Sequence, residues 1–325
     1  MTAVHLDRLS KHFTFSRGWG KQRQHSHVTA VDQNSLSVPT GQVIAFIGPN
    51  GAGKSTTIKM LTGILHPSEG HATVLGHTPW RDRHALSRRI GVVFGQRSQL
   101  WYHLPPRDTL ELLARIYDLD PQDYRKRRDL LVERFKLSEF WSTPVRKLSL
   151  GQRMRAEVAA SLLHAPQVVF LDEPTIGLDV LARQELRDLI CEWNQQAGVT
   201  VFLTSHDTGD IERVAQRVVV INHGRIVLDA SVADLRQQYL REKVLTVKFH
   251  GIVSPFPVLP GVRQLAATDY TLKLEIDTRV VPIEQVITQI LQAGSVADIA
   301  IEDPPLDAVI THIYNQPDSE EVLHP

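Results

Sequence analysis

Gly48-Pro49-Asn50-Gly51-Ala52-Gly53-Lys54-Ser55-Thr56 follows the apolar run Val43-Ile44-Ala45-Phe46-Ile47 and precedes a helical pattern of apolar residues, Ile58, Met60, Leu61, Ile64 and Leu65. Glycines at 48, 51 and 53 let backbone N–H groups turn inward around phosphate oxygens, where side chains would obstruct them. Lys54 is spaced to reach the β and γ phosphates and the Ser55 hydroxyl to hold Mg²⁺. The N-terminus of the following helix adds its positive dipole end to the same anion. The stretch reads as a phosphate-binding loop between a buried strand and a helix.

Strand and helix patterns alternate on either side of this loop, which predicts an α/β fold around a parallel sheet. Upstream, Ala3 to Leu9 and Val28 to Val38 read as strands of an edge sheet, separated by a polar, basic loop from Ser16 to His27. Downstream come a short strand, His71 to Leu75, and another, Ile90 to Phe94, that ends at Gly95-Gln96. A mostly helical stretch follows the aromatic and proline cluster Trp101 to Pro106. Asp108 and Glu111 stand there in capping-box spacing, with Leu110, Leu113, Ile116 and Tyr117 on one face.

Val168-Val169-Phe170-Leu171 has the unbroken apolarity of a strand buried on both faces, and it closes with Asp172-Glu173. Carboxylates at a strand exit opposite a phosphate loop are expected to serve a site. Val199 to Leu203 is a second buried strand with His206 at its exit, preceded by a helix from Leu181 to Gln196. A final hairpin, Val218 to Ile221 and Arg225 to Leu228, leads to a capped helix from Ser231. Beyond Arg241, strands at Val244 to Phe249, Thr271 to Ile276 and Val296 to Ile301, with a helix from Pro282 to Leu291 and a last helix, predict a small α+β domain.

The 325 residues suit two domains and a large core. Lys plus Arg (36) balances Asp plus Glu (36), so bulk charge argues for neither nucleic acid nor an anionic membrane as the main partner. One cysteine, Cys191, excludes an internal disulfide. The N-terminus carries charges where a signal peptide has its apolar core, and no run reaches the ~18 apolar residues of a spanning helix. These features predict a cytosolic chain that does not itself cross a membrane.

The phosphate loop, Gln96, Leu148-Ser149-Leu150-Gly151-Gln152, the Asp172-Glu173 strand end, Gly177-Leu178-Asp179 and His206 occur in one order. In that order they resemble the ATP-binding subunit of ABC transporters over roughly Ala3 to Leu240. The resemblance implies a P-loop NTPase of ABC type, with a parallel-sheet core, an antiparallel edge sheet and a helical subdomain at about 97–165. The ATP-binding domain would span 1–240 and the accessory domain 241–325.

It further implies a head-to-tail pair of such subunits, expected to be a homodimer, with each ATP between the loop of one (Gly48 to Thr56) and Ser149, Gly151 and Gln152 of the other. Glu173 would polarise the attacking water and Asp172 would hold Mg²⁺ beside Ser55 and Gln96. His206 would contact the γ-phosphate, with Lys54 completing the catalytic group. Asp179 belongs to the same nucleotide-binding set. Phe13 aligns with the aromatic that stacks on adenine, with Phe15 close by.

Leu150, where the family usually has glycine, and the ending Glu302-Asp303-Pro304-Pro305-Leu306 are similar to the drug-resistance and lipid-export branch. The appended domain would stabilise the dimer, regulate it, or buttress the fold. Trp101 to Pro106 lies where the family meets a separate integral-membrane permease, which would put the chain on the cytoplasmic face of the cell membrane. A soluble ABC-type ATPase of translation or DNA repair is the competing reading. Against it stand the single cassette and the absence of sustained heptads.

Overall fold

The structure, a computed structural model, describes residues 1–17, 24–95, 98–205, 207–239, 242–251 and 259–302. Contacts divide the chain into two compact units, the first running from Met1 to Val232 and the second beginning at Ala233.

The chain enters through β1 (Thr2–Arg17) and β2 (Gln24–Pro39), an antiparallel pair, and reaches β3 (Val43–Ile47), the strand before the phosphate loop. Helix α1 (Lys54–Leu61) follows, then β4 (Glu69–Val74), which pairs with β1 to complete a three-stranded antiparallel sheet in the order β2-β1-β4. Next come α2 (Arg83–Ser87), β5 (Ile90–Phe94), α3 (Pro106–Ile116), α4 (Pro121–Arg134) and α5 (Leu150–Leu162). The first unit closes with β6 (Val168–Asp172), α6 (Val180–Ala197), β7 (Thr200–Ser205), α7 (Thr208–Val214), β8 (Arg217–Asn222), β9 (Arg225–Ser231) and the first residue of α8 (Val232–Tyr239).

Six of these strands form the central sheet in the order β5-β6-β7-β3-β8-β9, parallel except for the β8-β9 hairpin. Because side chains alternate across a strand, the sheet feeds two cores. Ile44, Phe46, Phe170 and Phe202 point toward α1 and the antiparallel layer, while Val43, Val169, Leu171, Val201 and Leu203 point toward α5 and α6. On the first side the ring centroids of Phe46 and Phe202 are 5.3 Å apart and those of Phe170 and Phe202 are 5.6 Å apart. This cluster locks β3, β6 and β7 together below the ends that carry the site. Each of those buried rings contributes about 2–3 kcal/mol.

The second unit is a four-stranded antiparallel sheet, β11-β12-β10-β13, built from β10 (Glu242–Phe249), β11 (Val262–Ala267), β12 (Thr271–Asp277) and β13 (Val296–Glu302). Helix α9 (Ile283–Ala293) closes its core, where Val286 and Ile290 meet Leu245, Val247, Leu272 and Leu274.

Three expectations change. The loop expected from Ser16 to His27 is partly strand, because β1 continues to Arg17 and β2 begins at Gln24. Polar cross-strand pairs hold this extension: His12 Nδ1 lies 3.1 Å from Thr29 Oγ1, and Thr14 Oγ1 lies 3.2 Å from His27 Nδ1. The rest of that loop, including Trp19, Lys21 and Arg23, lies outside the described residues. There is no capping box at Asp108. Pro105 is the extended N-cap of α3 and Pro106 its first residue, while Asp108 and Glu111 pair with Arg107 and Arg115. Leu110 of that helix is buried, but Ile116 faces outward. The last helix and the segment from Asp303 onward fall outside the described residues.

Candidate functional site: a phosphate-loop cleft and a second groove

The loop after β3 is held where side chains do not fit. A Cβ on Gly48 would lie 2.2 Å from the Ile221 carbonyl oxygen, and one on Gly53, whose φ is +107°, would lie 2.3 Å from that of Ala30. The loop is therefore wedged between β8 and β2, with Gly53 turning left-handed into α1. Lys54 is only 5% exposed. Its ammonium donates to the carbonyls of Gly48 (2.6 Å) and Pro49 (3.2 Å) and stands 3.8 Å from Glu173 Oε1. Burial pushes the lysine below its usual pKa, against the opposing pull of the Glu173 and Asp172 carboxylates.

Asp172 and Glu173 leave β6 beside that lysine. Asp172 Oδ1 accepts from Ser55 Oγ (3.1 Å) and from Thr204 Oγ1 (2.7 Å). The Glu173 N–H donates to Thr204, with the carbonyl and hydroxyl oxygens both at 3.1 Å. Glu173 has φ +52°, a conformation that costs a non-glycine residue about 1–3 kcal/mol and is held by its surroundings. Asn50 to Thr56, Lys59, Ile64, Phe94, Gly95, Asp172 and Glu173 line one cleft of about 530 Å³. Its shape and donors fit a nucleotide phosphate chain: a glycine cradle, a buried ammonium and a helix N-terminus. The Ser55 hydroxyl and Asp172 carboxylate are a hard-oxygen pair of the kind Mg²⁺ takes.

A second groove, of about 270 Å³, contains Ser149, Gly151, Gln152 and Asp179 and shares no residue with the first cleft. Ser149 caps α5 in a reciprocal box: its Oγ accepts from Gln152 N at 3.2 Å, and Gln152 Oε1 accepts from Ser149 N at 3.0 Å. Capping uses the hydroxyl only as an acceptor, so its proton stays available for an oxyanion. Asp179 caps α6 by accepting from Ala182 N at 2.8 Å.

Phe13 does not line the cleft. It is half-buried on β1, with Lys11 Nζ 5.3 Å from its ring centroid and the exposed Phe15 ring at 6.2 Å. Gln96 and His206 lie outside the described residues. Trp101 and Tyr102 are exposed on a segment tied by its backbone, with Tyr102 O and Leu104 O accepting from Arg146 N (3.0 Å) and Val145 N (3.1 Å).

Three contributors escaped the sequence. Thr204 reads as an ordinary strand residue, yet its hydroxyl joins both carboxylate positions. Glu157, between Ala156 and Val158 on α5, is 3% exposed. It accepts from Ser98 Oγ and from Gln99 N (3.1 Å), while Gln99 Nε2 donates to its carbonyl (3.0 Å). Burial pushes its carboxyl pKa up against those donors. The third is a group of arginines and aspartates behind Glu173. Within it, burial raises the Asp207 carboxyl pKa but is outweighed by the Gly209 N–H, Arg183 and Arg187.

A glycine-cradled turn at the head of a parallel sheet, faced by strand-end carboxylates, defines a phosphate-loop nucleotide-binding protein. Residues 31–176 match the ABC transporter family. The chain is 33% identical over 298 residues to the daunorubicin resistance ATP-binding protein DrrA3 of Streptomyces coeruleorubidus, with 90% of this chain and 94% of that one covered. It is 36% identical over 220 residues to the Nod factor export ATP-binding protein I of Ralstonia nicotianae, covering 66% and 67%. Among solved structures, the ATP-binding subunit of an ABC transporter matches with a TM-score of 0.62 at 26% identity, over 73% of this chain and 93% of that one. An ATP-binding cassette solved as a dimer in a post-hydrolysis state with ADP and Pi gives 0.60 at 25% identity, over 70% and 98%. The chain belongs to the ABC transporter ATP-binding family, and its relatives place it on the drug-resistance, export-type side.

Proposed function

We propose that this chain is the ATP-hydrolysing subunit of an exporter and works as a homodimer bound to a separate membrane permease. The observation that carries this reading is the pair of incomplete sites. The first cleft has the phosphate cradle, while the groove of Ser149, Gly151 and Gln152 offers a hydroxyl and the N-terminus of α5 with no phosphate source of its own. Two copies arranged head to tail supply each what the other lacks. No helix among the described residues is long and apolar enough to cross a membrane, and this reading gives the transport path to a separate permease.

In this mechanism the loop N–H groups from Gly51 to Thr56 and Lys54 bind the β and γ phosphates. Ser55 and Asp172, with Gln96, would hold Mg²⁺, which when bound neutralises phosphate charge. Glu173 orients a water in line with the γ-phosphate and takes its proton, His206 contacts the γ-phosphate, and Lys54 shifts its ion pair from Glu173 to the incoming phosphates. Asp179 sits at the head of α6 beside Ser149 and steadies the composite half-site. Phe13 is the aromatic assigned to the adenine, approached from β1. ATP binding closes the dimer and hydrolysis reopens it, a population shift set by differential affinity for ATP and ADP. The closing motion passes to the permease at the Trp101–Pro106 segment, where Trp101, Tyr102 and His103 are exposed. This assignment puts the chain on the cytoplasmic face of the cell membrane, with residues 1–240 as the ATPase domain and the remainder as an accessory domain.

The test is Glu173→Gln, tagged and extracted in detergent with ATP. Persistent ATP-bound dimers carrying a stoichiometric polytopic membrane protein are expected. Recovery with ribosomes or DNA and no membrane protein would replace the transporter reading with a soluble ATPase.

A further inference from the structure

The turn that carries Glu173 is fastened from behind by side chains with no place in the reaction described above. Glu173 to Ile176 is a tight turn closed by Ile176 N donating to Glu173 O at 3.3 Å, and Leu178 N then donates to Thr175 O at 3.2 Å. Within it, the buried Thr175 hydroxyl donates to Asp210 Oδ2 at 2.6 Å. Asp210 is 0% exposed. The same Oδ2 accepts from Ser205 Oγ at 2.5 Å, and its Oδ1 accepts from Arg187 Nε at 2.7 Å. Arg187 continues to Asp207 Oδ1 (2.9 Å), and Asp207 Oδ2 takes Arg183 (2.5 Å). Arg183 returns to the loop by donating to Leu178 O at 3.0 and 3.2 Å. The network thus leaves the Glu173 loop at Thr175 and re-enters it three residues later.

We propose that Thr175 and Asp210 are positioning residues for hydrolysis: through the turn they fix where the Glu173 carboxylate points. The proposal rests on Glu173 being the base, as assigned above. A left-handed glutamate survives only where its neighbours over-determine it. Its amide is held by Thr204, and the far side of its turn is held by Asp210. A partly buried charged network of this kind is a poor source of stability compared with apolar packing, but its linked hydrogen bonds hold one geometry. Misplacing a reacting group by about 1 Å costs roughly 100-fold in rate.

Thr175→Val keeps the shape and removes the hydroxyl, whereas Thr175→Ser keeps the hydroxyl; both are compared with Glu173→Gln. The full chain is assayed for steady-state ATP hydrolysis, affinity for a fluorescent ATP analogue, and amide hydrogen exchange of the peptide spanning 173–178. The expected result for Thr175→Val is kcat lowered about 10- to 100-fold, with KM and analogue affinity within about twofold and faster exchange in that peptide. Thr175→Ser should return kcat to within about threefold of the parent. If Thr175→Val fails to fold, Asp210→Asn is expected to give the same kcat-only loss. An unchanged kcat in Thr175→Val while Glu173→Gln is inactive overturns the positioning role and leaves the base intact. Undiminished hydrolysis by Glu173→Gln overturns the base assignment itself. Loss of nucleotide affinity in step with kcat, unrescued by serine, reduces Thr175 and Asp210 to structural parts.

Discussion

His164 should make the first unit acid-sensitive, and the size of the effect follows from its surroundings. It is 8% exposed just past α5, and its Nε2 lies 2.9 Å from Ile90 O. A carbonyl only accepts, so Nε2 carries the hydrogen and Nδ1 is the bare nitrogen. That Nδ1 is buried with no hydrogen-bond partner among the described residues. The ring stacks on Tyr117 at 4.0 Å, with 9° between planes. Protonation would place a second N–H where no described residue accepts it, in a buried site that also feels Arg127. Burial first, then Arg127, against the opposing Ile90 bond, lower the His164 pKa from 6.5 to about 4. Between those values the unfolded chain binds a proton that the folded chain refuses. Stability is therefore complete above pH 6.5 and falls as pH drops toward 4. At ~1.4 kcal/mol per pKa unit, the loss is about 2 kcal/mol at pH 5 and about 3 kcal/mol below pH 4. His164→Gln, whose Nε2 can still donate to Ile90 O, lacks the titration. Urea unfolding at pH 7.5 and 5 should show the parent losing about 2 kcal/mol more than this variant. Histidine-selective NMR on the folded chain should place the His164 titration near 4. A midpoint near 6.5, or parallel pH profiles for the two proteins, would refute the reasoning.

Gly48→Ala drives a methyl into the Ile221 carbonyl. It should cost about 2 kcal/mol of stability and weaken nucleotide binding more than about tenfold by calorimetry, since the loop must move. Glu157→Ala takes away the acceptor of the Gln99 amide and leaves the Ser98 hydroxyl only the longer contact to the Leu100 carbonyl, at 3.4 Å. It should destabilise by about 3 kcal/mol in denaturant and speed exchange of the Gln99 amide. Trp101→Ala removes an exposed ring. Stability should stay within about 0.5 kcal/mol and nucleotide affinity should be unchanged, while export measured in membrane vesicles is lost; equal loss of all three would mark Trp101 as packing.

What could be read from the sequence was local. The phosphate loop is legible because backbone needs dictate its glycines, and β6 is legible because a strand buried on both faces leaves an unbroken apolar run ending abruptly at Asp172. Ser149 and Gln152 announce a helix start through their spacing alone. The unread parts depend on partners distant in the chain. Asp210 and Arg187 look like a solvated helix face until α6 and α7 are packed together, and Glu157 is an oddity until Ser98 and Gln99 arrive from β5. β11 escaped because five of its six residues are exposed and carry no alternation. The ends of β1 and β2 escaped because the alternation of Phe13 and Phe15 is answered on β2 mostly by serine, threonine and histidine, which read as loop. Pro105-Pro106 took over the start of α3, overriding the capping spacing at Asp108.

The position of β3 in the central sheet has a consequence for how the chain is made. Its two neighbours are β7 and β8, with Val43 opposite Val201 and Ile44 opposite Arg217. On a ribosome the phosphate-loop strand therefore waits for ~150 further residues, roughly 8–30 s at ordinary synthesis rates, with both edges bare. During that interval β1, β2 and β4 can already close their antiparallel sheet, whereas Val43 to Ile47 remains an apolar segment open to pairing with any neighbouring nascent chain. The nucleotide pocket, written early in the message, is among the last features of the first unit to be finished.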